Sequence, residues 1–113
     1  MKDNLTYKPT TYWLTGLSGA GKSTLLPHLF DEVKKKSNLP TICFDGDELR
    51  NILNAKSFDA NSRIENGLKY CRLCKFLNDQ GFNVVIACIG LYKEIHEWNK
   101  GNIGSLVYIF LDV

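Results

Sequence analysis

A run of nine residues near the N-terminus combines the residue types and the spacing needed to bind phosphate. In order they are Gly16, Leu17, Ser18, Gly19, Ala20, Gly21, Lys22, Ser23 and Thr24. The first eight fit the pattern G-x-x-x-x-G-K-[ST] in full. Glycines let the backbone turn tightly, so that successive N–H groups point inward and can cradle an anion. In this pattern the lysine reaches the β- and γ-phosphates and the following hydroxyl ligates Mg²⁺, which predicts a binding site for ATP and Mg²⁺ over residues 16–24.

The residues around this run decide between a phosphate loop and a glycine-rich turn with a chance Lys-Ser pair. An apolar stretch at residues 12–14 precedes the loop, and a helical pattern at residues 22–36 follows it. A helix that starts near Lys22 would present unpaired N–H groups and its positive end to the phosphates. This strand–loop–helix context favours the phosphate loop.

The pattern of apolar residues predicts the elements that position this loop. Short apolar runs at residues 12–14, 41–44, 84–89 and 106–111 indicate strands, and the last two are continuous, as in a parallel sheet covered on both faces. Helical spacing occupies residues 22–36, 61–80 and 92–99, with a helix pair between the second and third strands. We therefore expect an α/β fold, a P-loop kinase-like parallel β-sheet of about four strands with helices on both faces.

Length and composition set limits on the class of protein. The chain has 113 residues, 44% of them apolar, and a net charge of +2. One domain is expected, with residues 1–10 as an N-terminal extension, and the abrupt end after the last strand predicts a domain that is incomplete at the C-terminus. The charge does not suggest a nucleic-acid partner, and no stretch has the apolar length of a membrane span or a signal peptide. A cytoplasmic protein is therefore expected.

Two other features argue against alternative functions. Cys71 and Cys74 have the CxxC spacing, but no second pair or nearby histidines complete a zinc site, so we interpret all four cysteines as structural. Residues 99–102 are Asn-Lys-Gly-Asn, which lacks the aspartate that a guanine-reading motif needs. We interpret that segment as a polar loop and exclude a GTPase.

A second group of chemically capable residues follows the second predicted strand. Asp45, Asp47 and Arg50 lie where ligands bind in open α/β sheets, outside the carboxyl ends of the strands. One carboxylate could orient the waters of Mg²⁺, one could accept a proton from an acceptor hydroxyl, and Arg50 could bind an anionic acceptor. An aspartate N-cap followed by a surface arginine would produce the same residues, and the sequence leaves both readings open.

Three ordered motifs give the sequence a resemblance to the adenylylsulfate (APS) kinase family. Trp13-Leu14-Thr15 leading into the phosphate loop resembles that family, Asp45 to Arg50 is similar to its D-G-D-x-x-R, and Arg63 to Asn66 is similar to its R-x-E-N. The resemblance covers residues 13–112. It implies a P-loop kinase that transfers the γ-phosphate of ATP to the 3′-hydroxyl of APS, in sulfate activation.

The resemblance also implies roles for individual residues. Lys22 and Asp47 are the expected catalytic residues, with Asp47 as base or hydroxyl-orienting group. The residues expected to bind the acceptor are Asp45, Arg50, Arg63, Asn66, Ile89 and Lys93. Arg63 and Asn66 are three residues apart and share a helix face, and the alternative for this pair is a surface salt bridge with Glu65 or a neighbour.

Departures from the family pattern all lie on the acceptor side. Gly90 stands where the family has a serine, Lys93 replaces an arginine, and the stretch between Arg50 and Arg63 is shortened. Direct in-line transfer needs no such serine. A related kinase for another nucleotide conjugate, such as cytidine diphosphoramidate, is therefore the second hypothesis, and a phosphate-binding chain without catalysis is the third.

A homodimer is left open, and the apolar strand at residues 106–111 predicts self-association of the isolated chain.

Overall fold

The computed structural model describes residues 8–16, 22–54, 59–89 and 92–111. Within them the elements are β1 (Thr11–Gly16), α1 (Lys22–Lys36), β2 (Thr41–Asp45), α2 (Gly46–Ile52), α3 (Ala60–Asp79), β3 (Asn83–Ile89), α4 (Lys93–Asn102) and β4 (Leu106–Leu111). The four strands form one parallel sheet in the order β2-β3-β1-β4. The predicted α/β fold is confirmed, including the helix pair between β2 and β3.

The strand register brings the carboxyl ends of the strands to one edge of the sheet. Gly16, the last residue of β1, lies opposite Ile89 of β3 and Leu111 of β4. At the end of β2, Asp45 lies opposite Ala87. All the connections that follow β1, β2 and β3 therefore leave from the same edge, which is the carboxyl edge of the sheet.

Helices cover both faces of the sheet, and alternate residues of each strand point to opposite cores. Val85 and Ala87 of β3 pack with Leu26 and Val33 of α1 on one face. On the other face, Val84 and Ile86 pack with side chains from α2, α3 and α4. This two-sided burial explains why β3 reads as a continuous apolar run.

Local signals account for several of the helix ends. Asp45 and Asp59 are the N-caps of α2 and α3, each accepting a backbone N–H through its side chain. Gly81, with φ of 94°, follows α3 in a conformation that favours glycine, as expected for a stop signal. The helix α1 continues through Pro27.

The segment at residues 99–102 corrects one prediction, because it is not a polar loop. It forms the last turn of α4, which ends at Asn102 rather than at Asn99. Asn99 is completely buried, and its carbonyl accepts the N–H of Ile103 at 2.9 Å. Packing of Asn99 beneath the sheet outweighs the weak helix propensity of Gly101.

Two glycines have different roles in packing the helices. In α3, a Cβ at Gly67 would overlap the end of the Ile95 side chain, so glycine at this position lets α4 approach α3 closely. In α4, a Cβ at Gly101 would meet no atom within 4 Å.

Among the helices that the structure describes, none has the length and apolar character to cross a bilayer.

The opposite, amino edge of the sheet is closed by buried polar side chains. Asn83 accepts the N–H of Thr10 at 3.0 Å through Oδ1, and its Nδ2 donates to Ser37 Oγ at 2.8 Å. Thr11 Oγ1 donates to Asn78 Oδ1 at 2.6 Å, which ties α3 to β1. These side chains satisfy one another, as buried polar groups must.

Candidate active site

The predicted phosphate loop connects the central strand β1 to α1 at the carboxyl edge. Residues 17–21 of the loop lie outside the described residues, as do the side chains of Lys22 and Ser23. Gly16 is buried between β3 and β4, and α1 begins at Lys22, as the motif requires. The first turn of α1 contains no acidic residue, so no carboxylate in that turn offsets the positive end of the helix.

The residues that follow β2 have two distinct roles. Asp45 accepts the backbone N–H of Asp47 at 2.8 Å, and this is the N-cap reading that the sequence left open. Asp47 is not a cap: its side chain is 62% exposed, and it pairs with Arg50 at 3.2 Å between Oδ1 and a guanidinium nitrogen. Of the two aspartates, it is therefore Asp47 that offers an exposed carboxylate beside a cationic side chain.

Gly46 explains how the start of α2 is held in place. A Cβ at this position would lie 2.9 Å from the carbonyl oxygen of Ala87 and 3.3 Å from Cys88 Sγ. Glycine therefore lets the first turn of α2 sit directly against β3. This close approach fixes Asp47 at the carboxyl edge, and it supplies a physical reason for the glycine between the two aspartates.

Arg63 and Asn66 lie in the first turns of α3, as predicted. Asp59 is the N-cap of this helix, and its carboxylate accepts the backbone N–H of Ser62 at 2.8 Å. This hydrogen bond is the main cause that lowers the pKa of Asp59, and a second hydrogen bond, from the Ser62 hydroxyl, lowers it further. Arg63 is exposed and Asn66 is half-buried. Among ion pairs between described residues, none joins Arg63 to Glu65, so the alternative reading of Arg63 gains no support.

Lys93 begins α4 on the same edge of the sheet. Its side chain is 82% exposed and pairs with Glu97 at 3.7 Å. The side chain of Ile89, also predicted to contact the acceptor, lies outside what the structure describes. The predicted acceptor residues thus come from three helices and two strand ends.

A cavity of about 470 Å³ adjoins Lys93, in the size range of small-molecule sites. It lies between β1, β4 and α4, and its walls are mostly aromatic and apolar. The lining residues are Trp13, Thr15, Tyr92, Lys93, Ile95, His96, Tyr108 and Phe110. The sequence prediction missed this cavity, because it is formed jointly by two strands and a helix that are distant in the sequence.

The cysteine thiols have the character of core residues. Cys71 and Cys74 are fully buried, and burial raises the pKa of Cys71 to about 12. Burial likewise raises the pKa of Cys74 and of Cys88 well above the ordinary value. All four cysteines are free thiols, and no group of three metal-ligating side chains occurs in the part of the chain that the structure describes. Thiolate chemistry at neutral pH is therefore not favoured here.

Comparison with known proteins adds to this geometry. A sequence profile of the family described as adenylylsulphate kinase matches residues 8–113. The chain belongs to this family. A solved structure of the Mycobacterium tuberculosis APS kinase, in complex with AMPPNP and APS, superposes with a TM-score of 0.81 at 28% identity, covering 95% of this chain and 64% of that one.

Two relatives within the family have different names. The cytidine diphosphoramidate kinase of Campylobacter jejuni is 40% identical over 113 residues, which is 99% of this chain and 63% of that protein. The adenylyl-sulfate kinase of Gloeothece citriformis is 37% identical over 103 residues, 90% of this chain and 58% of that protein. The chain thus spans about three fifths of the length of these relatives.

Proposed function

We propose that this protein is an ATP-dependent kinase that transfers the γ-phosphoryl group to a hydroxyl of a small nucleotide conjugate. The observation that carries the proposal is the juxtaposition of two features at one edge of the sheet. The strand that leads into a complete phosphate-loop motif ends there, and so does the strand that leads into the exposed Asp47–Arg50 pair. Family membership supports the same reaction class.

On the donor side, the proposed residues are those of the loop from Gly16 to Thr24. Lys22 would neutralise charge on the β- and γ-phosphates, and the backbone N–H groups at the start of α1 would hold their oxygens. Mg²⁺ prefers oxygen ligands, so the Ser23 hydroxyl of the motif would hold it. At the phosphate loop, Mg²⁺ would neutralise part of the negative charge of the phosphates.

On the acceptor side, Asp47 is the proposed base. The acceptor hydroxyl oxygen attacks the γ-phosphorus, the bond from that phosphorus to the bridging oxygen of ADP breaks, and the hydroxyl proton passes to the Asp47 carboxylate. Asp45 is a less suitable base because it already caps α2. Arg50, Arg63, Asn66 and Lys93 would bind the anionic part of the acceptor.

Two acceptors are supported by specific observations. The three family motifs favour the 3′-hydroxyl of APS, which would place the protein in cytoplasmic sulfate activation. The similarity to the cytidine diphosphoramidate kinase, 40% identity, extends over 99% of this chain. Gly90 and Lys93, which depart from the usual family pattern, favour this second acceptor.

A coupled assay of ADP release separates these acceptors. The protein is incubated with MgATP and either APS or cytidine diphosphoramidate, and Asp47→Asn is the variant that keeps size and loses the base. Transfer to APS alone supports the first acceptor, and transfer to cytidine diphosphoramidate alone supports the second. Binding of MgATP without transfer to either would contradict the kinase proposal and leave a phosphate-binding chain.

A further inference from the structure

Gly67 lies in the part of α3 that carries two of the predicted acceptor residues. It directly follows Asn66 and lies four residues after Arg63, in the interior of the helix. Arg63 is exposed, whereas Gly67 is buried. Apart from proline, glycine is the least favourable residue within a helix. A glycine at a buried position in the interior of α3 therefore has a cost that packing must offset.

The packing partner of Gly67 is the side chain of Ile95 in α4. A Cβ at position 67 would overlap Ile95 Cδ1 and would lie 3.0 Å from Ile95 Cγ1. Cβ atoms in proteins do not approach other carbons so closely, so a methyl group added at position 67 must displace the Ile95 side chain or the helix that carries it. Glycine is therefore the residue that permits the observed distance between α3 and α4.

Ile95 connects this contact to the predicted acceptor side. Its side chain is only 9% exposed, and it lines the cavity of about 470 Å³ together with Lys93. Lys93 lies two residues before Ile95, at the start of α4. An Ile95 side chain displaced from α3 either rotates toward the cavity or moves the start of α4, and Lys93 with it. Both responses change the space beside Lys93.

We propose that Gly67 is a positioning residue that sets the separation of α3 and α4 and thereby places Lys93 relative to Arg63 and Asn66. Gly67 itself touches no substrate, because it acts through Ile95. The close approach of the two helices lets side chains from both of them bind one anionic acceptor. This consequence for the acceptor rests on the proposed function, whereas the contact between Gly67 and Ile95 does not.

An NMR experiment tests the contact without any assay of activity. Isoleucine labelled with ¹³C at Cδ1 gives one methyl signal per residue, and Ile95→Val identifies the signal of Ile95. A nuclear Overhauser effect should connect this methyl group to the Hα atoms of Gly67, and Gly67→Ala should shift the signal. Gly101→Ala is the matched control, because it adds a methyl group to α4 in open space. An Ile95 signal that shows neither the effect nor the shift would overturn the proposal.

A kinetic comparison tests the consequence. Gly67→Ala should raise the acceptor KM by roughly three- to thirtyfold, because the added carbon overpacks the boundary between α3 and α4. The KM for ATP should stay unchanged, because the phosphate loop follows β1 and is not touched. Alanine is a better helix former than glycine, so a weakened α3 would not explain the increase.

A compensating substitution provides the sharpest control. Ile95→Val removes the carbon that the added Cβ would overlap. The double variant with Gly67→Ala and Ile95→Val therefore moves one carbon from α4 to α3 at nearly constant volume, which packed cores tolerate well. It should return the acceptor KM to nearly the unmodified value, and Ile95→Val alone should change this KM little. An effect confined to the structure of α3 would not be rescued by a substitution in α4.

The outcomes distinguish this proposal from the proposed function. If the unmodified protein neither phosphorylates nor binds APS or cytidine diphosphoramidate, as measured by calorimetry, the proposed function fails and the acceptor role of Gly67 fails with it. If it binds an acceptor without transfer, the calorimetric affinity replaces the KM in the same comparison.

Three results with an active unmodified protein would overturn the role of Gly67 alone. The first is an acceptor KM that Gly67→Ala leaves unchanged. The second is a raised KM that Ile95→Val does not restore in the double variant. The third is an equal increase in both KM values together with a lower unfolding midpoint, since it would indicate general disruption of the fold.

Discussion

The two edges of the sheet contain polar residues of opposite kinds. At the amino edge, Asn83 and Thr11 are completely buried, and their side chains bond to neighbours from other elements. At the carboxyl edge, the Asp47 carboxylate and the Lys93 ammonium are mostly exposed, and each pairs with an opposite charge in its own helix. The first set is neutral, whereas the second is charged.

This difference separates residues that stabilise the fold from residues that can bind a ligand. A buried polar group without a partner is costly, so the amino edge tolerates change poorly. Exposed ion pairs contribute little to stability, so the charges at the carboxyl edge cost little to keep and can rearrange around a substrate. Substitutions at the two edges should therefore affect different measurements.

The largest effect is expected at the phosphate loop. Lys22→Ala should lower the rate of phosphoryl transfer by about 10²–10³-fold, because it removes the cation that the motif supplies to the phosphates. The free energy of unfolding should change little, since alanine is a good helix former at the start of α1. The measurements are coupled ADP release, calorimetric binding of MgATP and urea unfolding.

Lys36→Ala provides the control for this substitution. Lys36 lies at the other end of α1 and makes an exposed pair with Glu32 at 3.5 Å. Its removal should leave transfer unchanged. If Lys22→Ala and Lys36→Ala have equal activity, the carboxyl edge is not the donor site.

The next effect is expected at the amino edge. Asn83→Ala removes the side-chain acceptor of the Thr10 N–H and one of the donors to the Ser37 hydroxyl. We expect the free energy of unfolding to fall by about 2–3 kcal/mol, with MgATP affinity unchanged. Asn102→Ala is the control, because this amide is exposed and donates to the Trp98 carbonyl. Similar destabilisation by both would show that burial does not distinguish these amides.

Gly46→Ala should produce a smaller change that reaches the acceptor side. The added Cβ would press on the Ala87 carbonyl, so the start of α2 must shift and carry Asp47 with it. We expect a loss of about 1–2 kcal/mol in unfolding free energy and a higher acceptor KM, with ATP binding retained. Gly101→Ala meets open space within α4 and should be neutral or slightly stabilising. An unchanged acceptor KM for Gly46→Ala would show that α2 does not position the acceptor.

Much of this arrangement was predictable from local sequence. The uninterrupted apolar run at residues 84–89 indicated a strand buried on both faces, and β3 has that environment. The helix predicted at residues 22–36 coincides with α1. Parallel strands place their carboxyl ends together, so the order of motifs along the chain was enough to place Gly16 and Asp45 at one edge.

Other features depend on contacts between distant residues. The role of Asp45 stayed open because an aspartate before a helix can cap it or bind a ligand, and only the bond to Asp47 separates the two. The fit of Gly46 against Ala87 requires β2 to lie beside β3, which no local pattern encodes. The cavity beside Lys93 is formed by β1, β4 and α4 together and has no local signature.

The smallest effect is expected at Lys93, and it bears on which acceptor is used. Lys93→Arg restores the planar fork of the usual family pattern, which binds an anion in a bidentate manner. The exposed pair with Glu97 contributes at most about 1 kcal/mol, so stability should hardly change. With APS as acceptor, we expect its KM to fall roughly two- to fivefold, as one improved hydrogen bond allows. Lys100→Arg, in the last turn of α4, should have no effect. If Lys93→Arg and Lys93→Ala both leave the KM of either acceptor unchanged, Lys93 does not bind it, and recognition rests on α2 and α3.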